Sequence, residues 1–594
     1  MQLLRSVGIE DDNMFVTSFV LEAIFESLLY ANDVVTADDT SATMAVEAIL
    51  GLKDKNLPDD VPVFGFWPQR LIEGNIPGRY YWGQWPINLA GASQQGIEWD
   101  EVLEAIMDAL GMHNEWEKFG PALAHFLAGL DIMFQIPSDS DDTSVVLALG
   151  RFMPLMRTLL PGATTTWSRA GYEAEKAFRE ILKYSYCPAS GVPDKSTIDP
   201  RTYMWSHKYF NNQTNPLQCF VTTWIQNSSF SVSVSMNRTV GPQMPLMVNN
   251  VDPTVCSNAL YAMSTHLVSG ADTTWFTGSI EMRWLYLSTA NFVNYALGTQ
   301  PQQSRPDLEM LYYPPVYNLG LFVARHVHML ESWLASRNAT TFPFQEMDQV
   351  YTELKSALRS GAMTYITDHV NKSCWGNCDE SLANQSCWDG FLGNGDTDSK
   401  GERTPHYEDR FFSTGVVLNT LLDTWTVSDL SAKPATLRWL ADTPTASKLL
   451  AAQASSYLHH ALHFSNTSFE NAFFSGSAKY WEQYPFWYPA NTRVDVRTNA
   501  TLDCDAMSVV ELQDNFYYYF MGASGIMSSA EFERLAARGC CNVSAPTWFS
   551  GYNGWREFGP HHPRPPLNAW PFWSAPVMSK ALALQGLAKM RLLL

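Results

Sequence analysis

FQIPSDSDDTSVVLALG, residues 134–150, is the stretch on which the reading of the whole chain turns. Pro137 closes whatever precedes it, and Asp139-Ser140-Asp141-Asp142-Thr143 stand directly before the apolar run Val145-Val146-Leu147-Ala148-Leu149. Side-chain oxygens of Asp, Ser and Thr accept the N–H groups that a first helical turn leaves without intrahelical partners. The stretch therefore predicts a loop closing onto a buried helix whose start carries three carboxylates.

Working outward, the same acid-then-hydroxyl start recurs. Asp38-Asp39-Thr40-Ser41 opens ATMAVEAILGL, and Asp12-x-x-Phe15-x-Thr17-x-x-Val20-Leu21 is echoed by Asp409-x-x-Phe412-x-Thr414-x-x-Val417-Leu418. One helix type recurring along a chain suggests helix pairs stacked in a ring or solenoid. In an α/α toroid the inner helices all start at one end. Asp12, Asp39, the Asp139/Asp141/Asp142 group and Asp409 are thus expected around one mouth. Trp67, Trp82 and Trp85, from the aromatic connection between Val61 and Leu89, are expected beside them.

Further helices are predicted at Met14–Ala31, Trp99–Leu110, Phe119–Leu130, Ala170–Tyr186, Ile280–Leu297, Leu319–Ser336, Met347–Val370, Tyr407–Trp425, Ala435–Trp439, Thr445–Ala461, Val509–Ala523, Ser529–Arg538 and Ala575–Leu592. Met14–Ala31 carries Glu22 and Glu26 at helical spacing, which argues for a core helix over a membrane span. Phe220–Ile225 and Phe230–Met236 alternate as strands do. The expected fold is mostly α: an α/α toroid with a β-containing insertion. Residues 1–186 form a first helical half and 187–260 the insertion; 261–594 form a second half with a Cys-rich loop at 371–404.

The 594 residues are 46% hydrophobic and 17% charged, which permits a large interior. A net charge of −21 argues against nucleic-acid and anionic-membrane partners, both of which need basic patches. Nine cysteines lie without histidines at zinc-ligand spacing, so disulfide-stapled loops are expected. Asn-x-Ser/Thr sequons at Asn212, Asn227, Asn237, Asn338, Asn371, Asn384, Asn466, Asn499 and Asn542 suggest N-glycans. Both features point to a secreted or lumenal protein. The opening MQLLRSVGIEDDN has no apolar leader, so export is expected to rest on a signal not visible there.

The D-x-D-D-T pattern running into V-V-L-A-L resembles the acid motif of class II terpene cyclases, the squalene–hopene cyclase family. The resemblance covers about a dozen residues. It implies a helical toroid, a polyprenyl substrate cyclised by protonation in an aromatic cavity, and no required cofactor. Asp141 would be the proton donor, with Asp139 and Asp142 orienting and polarising it. The chemistry is coherent, because carboxylates this close cannot all ionise cheaply and one stays neutral. The plainer alternative is that residues 139–143 only cap a core helix.

Two other functions fit the same residues. A secreted α/α-barrel carbohydrate-active enzyme would use paired carboxylates among Asp12, Asp141 and Asp409, with Trp platforms for sugar rings. A non-catalytic toroid glycoprotein would use neither. GNGDTDSKGE (393–402) places Asn394, Asp396, Asp398 and Glu402 as oxygen ligands for calcium, or as a solvated polar loop. His326/His328 and His459/His463 read as core or surface histidines, for want of an H-E-x-x-H pattern. The sequence has no G-x-S-x-G elbow, P-loop or G-x-G-x-x-G.

Overall fold

The computed structural model describes residues 13–73, 78, 80–84, 136–226, 248–300, 316–372, 374, 384–388, 410–433, 435–464, 491–495, 500–502, 519–536 and 575–594. The described chain is mostly helical with small antiparallel sheets. Its principal helices are α1 (Met14–Ala31), α2 (Asp39–Gly51), α3 (Ser140–Leu149), α4 (Pro161–Ala170), α5 (Ala174–Lys183), α6 (Pro200–Phe210), α7 (Pro253–Val268), α8 (Ile280–Thr299), α9 (Asn318–Arg337), α10 (Gln345–Ala357), α11 (Arg410–Trp425), α12 (Thr445–Phe464), α13 (Ser529–Ala536) and α14 (Pro576–Arg591).

Polar N-caps start several of them, as the sequence pattern requires. Asn13 accepts the Val16 N–H at α1, Asp38 that of Ser41 at α2, Asp139 that of Asp142 at α3 and Asp252 that of Thr254 at α7. Six helices form a closed cycle of neighbours: α1 packs on α3, α3 on α7, α7 on α9, α9 on α11, α11 on α14, and α14 back on α1. Others lie against this set: α8 on α7, α10 on α8 and α9, α12 on α11 and α14. Gly586 lets α14 approach α11 closely, since a Cβ there would stand 2.7 Å from Leu418.

Neighbouring helices of the cycle run in one direction where paired contacts trace a seam. On α7 and α9, Asn258 meets Arg325, Ser264 meets His326 and the Val268 carbonyl meets Trp333. On α11 and α14, Asn419 donates to the Leu582 carbonyl one step before Asp423 meets Lys589. Other contacts cross the cycle: Phe322 of α9 packs edge-on to Phe15 and Phe19 of α1, at ring centroids 6.2 and 5.8 Å apart. Phe15, Phe19, Glu22 and Glu26 follow the 4-3-4 spacing of a single helix face, and Asn318, Phe322 and Arg325 follow 4-3. Along both faces aromatic residues give way to charges with depth.

Strands are short. β1 (Gln69–Glu73) pairs with β2 (Tyr80–Gln84), and β4 (Thr426–Asp429) with β5 (Thr436–Trp439). A four-stranded sheet runs β3 (Thr197–Ile198), β8 (Tyr519–Ser524), β6 (Thr492–Asp495), β7 (Ala500–Leu502). Two helix predictions are corrected here. Ala435–Trp439 holds strand β5, where Thr436 to Trp439 alternate exposed and covered positions against β4. Tyr519–Ser524, at the end of the predicted Val509–Ala523 helix, is the inner strand β8. In Phe220–Ile225 the pairing is confined to isolated bridges, Tyr186 with Phe220 and Asp139 with Trp224. Residues 187–260 also contain α6 and the first half of α7. The predicted Trp99–Leu110 and Phe119–Leu130 helices and the Phe230–Met236 strand lie outside the described residues.

Disulfides join Cys187 to Cys219 and Cys374 to Cys387, while Cys256 is a buried free thiol. Such bridges are consistent with an extracellular or lumenal protein. Met14–Ala31 is long and apolar enough to cross a membrane by length and composition, and most of it is buried inside the fold.

The floor of the helix cycle is a charge network. Glu26 accepts from Arg151 at 3.1 Å, Gln585 at 2.7 Å and Lys589 at 3.1 Å, and Lys589 reaches Asp423 at 2.7 Å. Burial works against the Glu26 charge, but Lys589 and Arg151 outweigh it and hold the carboxyl at about 2. This network ties the last helix, α14, to the first. Lys589→Met should therefore cost about 3–5 kcal/mol in chemical denaturation, because two carboxylates lose their buried cation. A loss under about 1 kcal/mol would mean that the network is dispensable.

Candidate active site

The start of α3 divides the acid group into separate tasks. Asp139 is the helix cap: its Oδ1 accepts the Asp142 N–H at 2.7 Å. Thr143 turns outward from the helix and accepts the Phe64 N–H at 3.0 Å. Asp141 does neither. Its Oδ1 accepts an N–H of Asn258 on α7 at 2.6 Å, across a gap of 117 residues in the chain. Asp139, Asp141 and Asp142 are all buried.

Behind Asn258 the chain of contacts continues. Arg325 of α9 donates to Asn258 Oδ1 at 2.7 Å and to Glu22 Oε2 at 3.0 Å, and Tyr261 of α7 donates to Glu22 Oε1 at 2.9 Å. The Arg325 guanidinium also lies over Phe19 at 4.7 Å and Tyr261 at 4.6 Å. Asn258 can take only one orientation. Turning its amide over would point NH2 at the guanidinium and oxygen at a carboxyl oxygen. The amide thus always donates to Asp141 Oδ1, and a proton on this carboxyl group sits on Oδ2.

Electrostatics favour the protonated form. Burial, and next the neighbouring Asp139, push Asp141 well above the usual carboxylate range, against the pull of Asn258 and Arg325. Burial also raises Asp139 to about 6, although its cap hydrogen bonds oppose the rise. The nearby cations are committed elsewhere: Arg325, Arg151 and Lys589 face Glu22, Glu26 and Asp423, three against three. A buried acid with no cation of its own stays neutral at ordinary pH. Such an arrangement, a buried carboxyl group flanked by ion-paired carboxylates, has the means to supply a proton.

The other predicted site residues divide as follows. Asp39 is not at this site; its carboxylate accepts the Gly162 N–H at 2.9 and 3.1 Å and the Ala163 N–H at 3.1 Å, so it caps the neighbouring helix α4. A helix N-terminus attracts an anion, and Gly162 leaves room, since a Cβ there would stand 2.9 Å from Asp39. Trp67 is a core residue packed edge-on to Phe66. Trp82 is half-buried under the Lys55 ammonium, 4.5 Å from its ring. Asp12, Asp409, Trp85 and the calcium candidates Asp396, Asp398 and Glu402 lie outside the described residues. Among the described residues no group of three His, Cys, Asp or Glu side chains is placed to hold a metal ion. His326 and His328 face opposite ways, to Ser264 and to Thr426 and Ser428.

Sequence reasoning missed Asn258, Tyr261 and Arg325. The one available signal was polarity inside apolar helices: Asn258 in PTVCSNALYAMSTHLV and Arg325 in NLGLFVARHVHML. No family model, no curated protein and no solved structure matches the chain.

Two stability measurements check this electrostatic account. Asp139→Asn keeps a capping side chain and removes the titration. Because folding raises the Asp139 pKa from 3.8 to about 6, its contribution is full below 3.8 and lost as the pH rises through 6. The wild type should lose about 3 kcal/mol more than this variant between about pH 3.5 and pH 7. Asp141→Asn retains an oxygen for Asn258 and has no charge to bury, so it should fold at least as stably as the wild type, by about 1–2 kcal/mol at neutral pH. A loss of more than about 1 kcal/mol would instead mark Asp141 as a structural carboxylate.

Proposed function

We propose that the protein is a class II terpene-cyclase-like enzyme, in which Asp141 protonates a polyprenyl substrate and so initiates its cyclisation. The observation that carries this reading is the buried Asp141 carboxyl group, one oxygen of which accepts from Asn258 while burial favours its protonated form. Protonating an alkene or epoxide needs a strong acid kept away from water, and aromatic faces then stabilise the cation. Phe15, Phe19, Phe322 and Tyr261 line the interior near the acid chain. Asp139 serves the acid by raising its proton affinity as well as by capping α3. An α/α toroid is the architecture we propose, supported by the closed cycle of six helices with others packed against it. We further propose a secreted or lumenal glycoprotein; the two disulfides and the exposed positions of Asn212, Asn338 and Asn384 support that setting.

A second reading has its own support. A neutral acid, Asp141, and an ion-paired carboxylate, Glu22, joined through two side chains form the kind of acid and base pair that inverting glycosidases employ. A glycan-active α/α-barrel enzyme is therefore the alternative.

The test is incubation of the purified protein, and of Asp141→Asn, with geranylgeranyl diphosphate, squalene and oxidosqualene, followed by product analysis. We expect a cyclised product from the wild type and at least a 100-fold loss in the folded variant, the scale of a lost general acid. No cyclised product from either would discard the cyclase reading. Glycan hydrolysis by the wild type alone would then select the alternative.

A further inference from the structure

Glu22 has no direct bond to Asp141, yet it holds the one cation that, among the described residues, approaches the acid. Arg325 uses one terminal nitrogen for Glu22 and the other for Asn258, whose amide is bonded to Asp141. The charged and titratable groups facing Asp141 come from every element around it. Asp139 and Asp142 share its helix start; Asp252, Cys256 and Asn258 belong to α7; Arg325 comes from α9, with Glu22 and Tyr261 behind it. Asp139 and Asp252 raise the proton affinity of Asp141, the Cys256 thiol is kept neutral by burial, and among the described residues only Arg325 supplies a positive charge from a neighbouring helix.

We infer that Glu22 is a positioning residue for Asp141: by engaging Arg325 in an ion pair, it prevents that guanidinium from drawing the proton off a carboxyl group that Glu22 never meets. This rests on the reading of Asp141 as a neutral acid. The pair at 3.0 Å is buried on both sides, where a charge is screened by its partner and hardly by water. Removing the Glu22 charge leaves Arg325 fixed by its aromatic neighbours and by Asn258. Asp141 then becomes the carboxyl group best placed to neutralise it. Glu22 therefore sets the acid strength through Arg325, and both residues have a function beyond packing.

The experiment reads the proton itself and needs no substrate. Infrared difference spectra of the full-length protein against Asp141→Asn, over a pH series, isolate the carbonyl stretch of protonated Asp141. In the wild type this band should persist through neutral pH. In Glu22→Gln its midpoint should fall by at least one pH unit, a tenfold loss in proton affinity. In Glu22→Gln/Arg325→Gln, which removes both charges, the midpoint should return to the wild-type value or rise above it. That restoration separates charge from mere packing, since the double variant disturbs the site more. If Glu22→Gln does not fold, the double variant still decides, because a midpoint below that of the wild type would overturn the inference. An unmoved midpoint in folded Glu22→Gln would overturn it too, while leaving the Asp141 reading intact. A wild type with no band at neutral pH would overturn both.

Discussion

The buried Arg325–Glu22 ion pair is the constraint on which the rest of the interior depends. A charge brought into a low-dielectric core costs several kcal/mol unless it is paired and its remaining hydrogen-bonding groups are used. Arg325 is paired through its two terminal nitrogens to helices α1 and α7 and lies on the faces of Phe19 and Tyr261, while its Nε is buried without a hydrogen-bond partner. Its geometry fixes the Asn258 amide, and the Asn258 amide fixes which oxygen of Asp141 carries a proton. Three helices and one acid are thereby brought into register by a single guanidinium.

The second network, around Glu26 and Lys589, answers the same demand at the other end of the helix cycle. There the first and last helices of the chain meet through residues 559 positions apart. Breaking such a network by removing one member is costly, whereas keeping it adds little net stability over an apolar core. What it provides is specificity: only one alignment of α1, α11 and α14 lets Glu26, Asp423, Gln585 and Lys589 all find partners. Within the two networks three cations face three carboxylates. Among the described residues no cation is bonded to Asp141, which favours its protonated form.

The division of labour at Asp139-Ser140-Asp141-Asp142 reconciles the two readings the motif invites. Asp139 caps the helix and Asp141 faces Asn258, so capping does not occupy the carboxyl group proposed as the acid. The cap carboxylate lies beside the acid and raises its proton affinity; burial does most of the work on both. By contrast, the similar Asp38-Asp39 start is structural throughout. Asp38 caps its own helix, and Asp39 caps α4.

Local pattern by itself determined many of the helices and where some of them start, but it did not mark α4, α6 or α7. Polar caps before apolar runs placed α1, α2 and α3, and the echo between Asp12–Leu21 and Asp409–Leu418 marked two helices, α1 and α11, that both pack on α14. Local pattern was weak where windows were short: Ala435–Trp439 could be read as helix or strand until β4 lay beside it. Only the tertiary structure decided which acid is the acid. Asp39 and Asp141 each stand at a helix start beside a second aspartate, and nothing within ten residues distinguishes a carboxylate destined for a helix N-terminus from one destined for Asn258. Protonation depends on burial and on partners from distant parts of the chain, Asn258 at 117 residues away and Arg325 farther still. Both come from how the helices pack, and neither has a local signature.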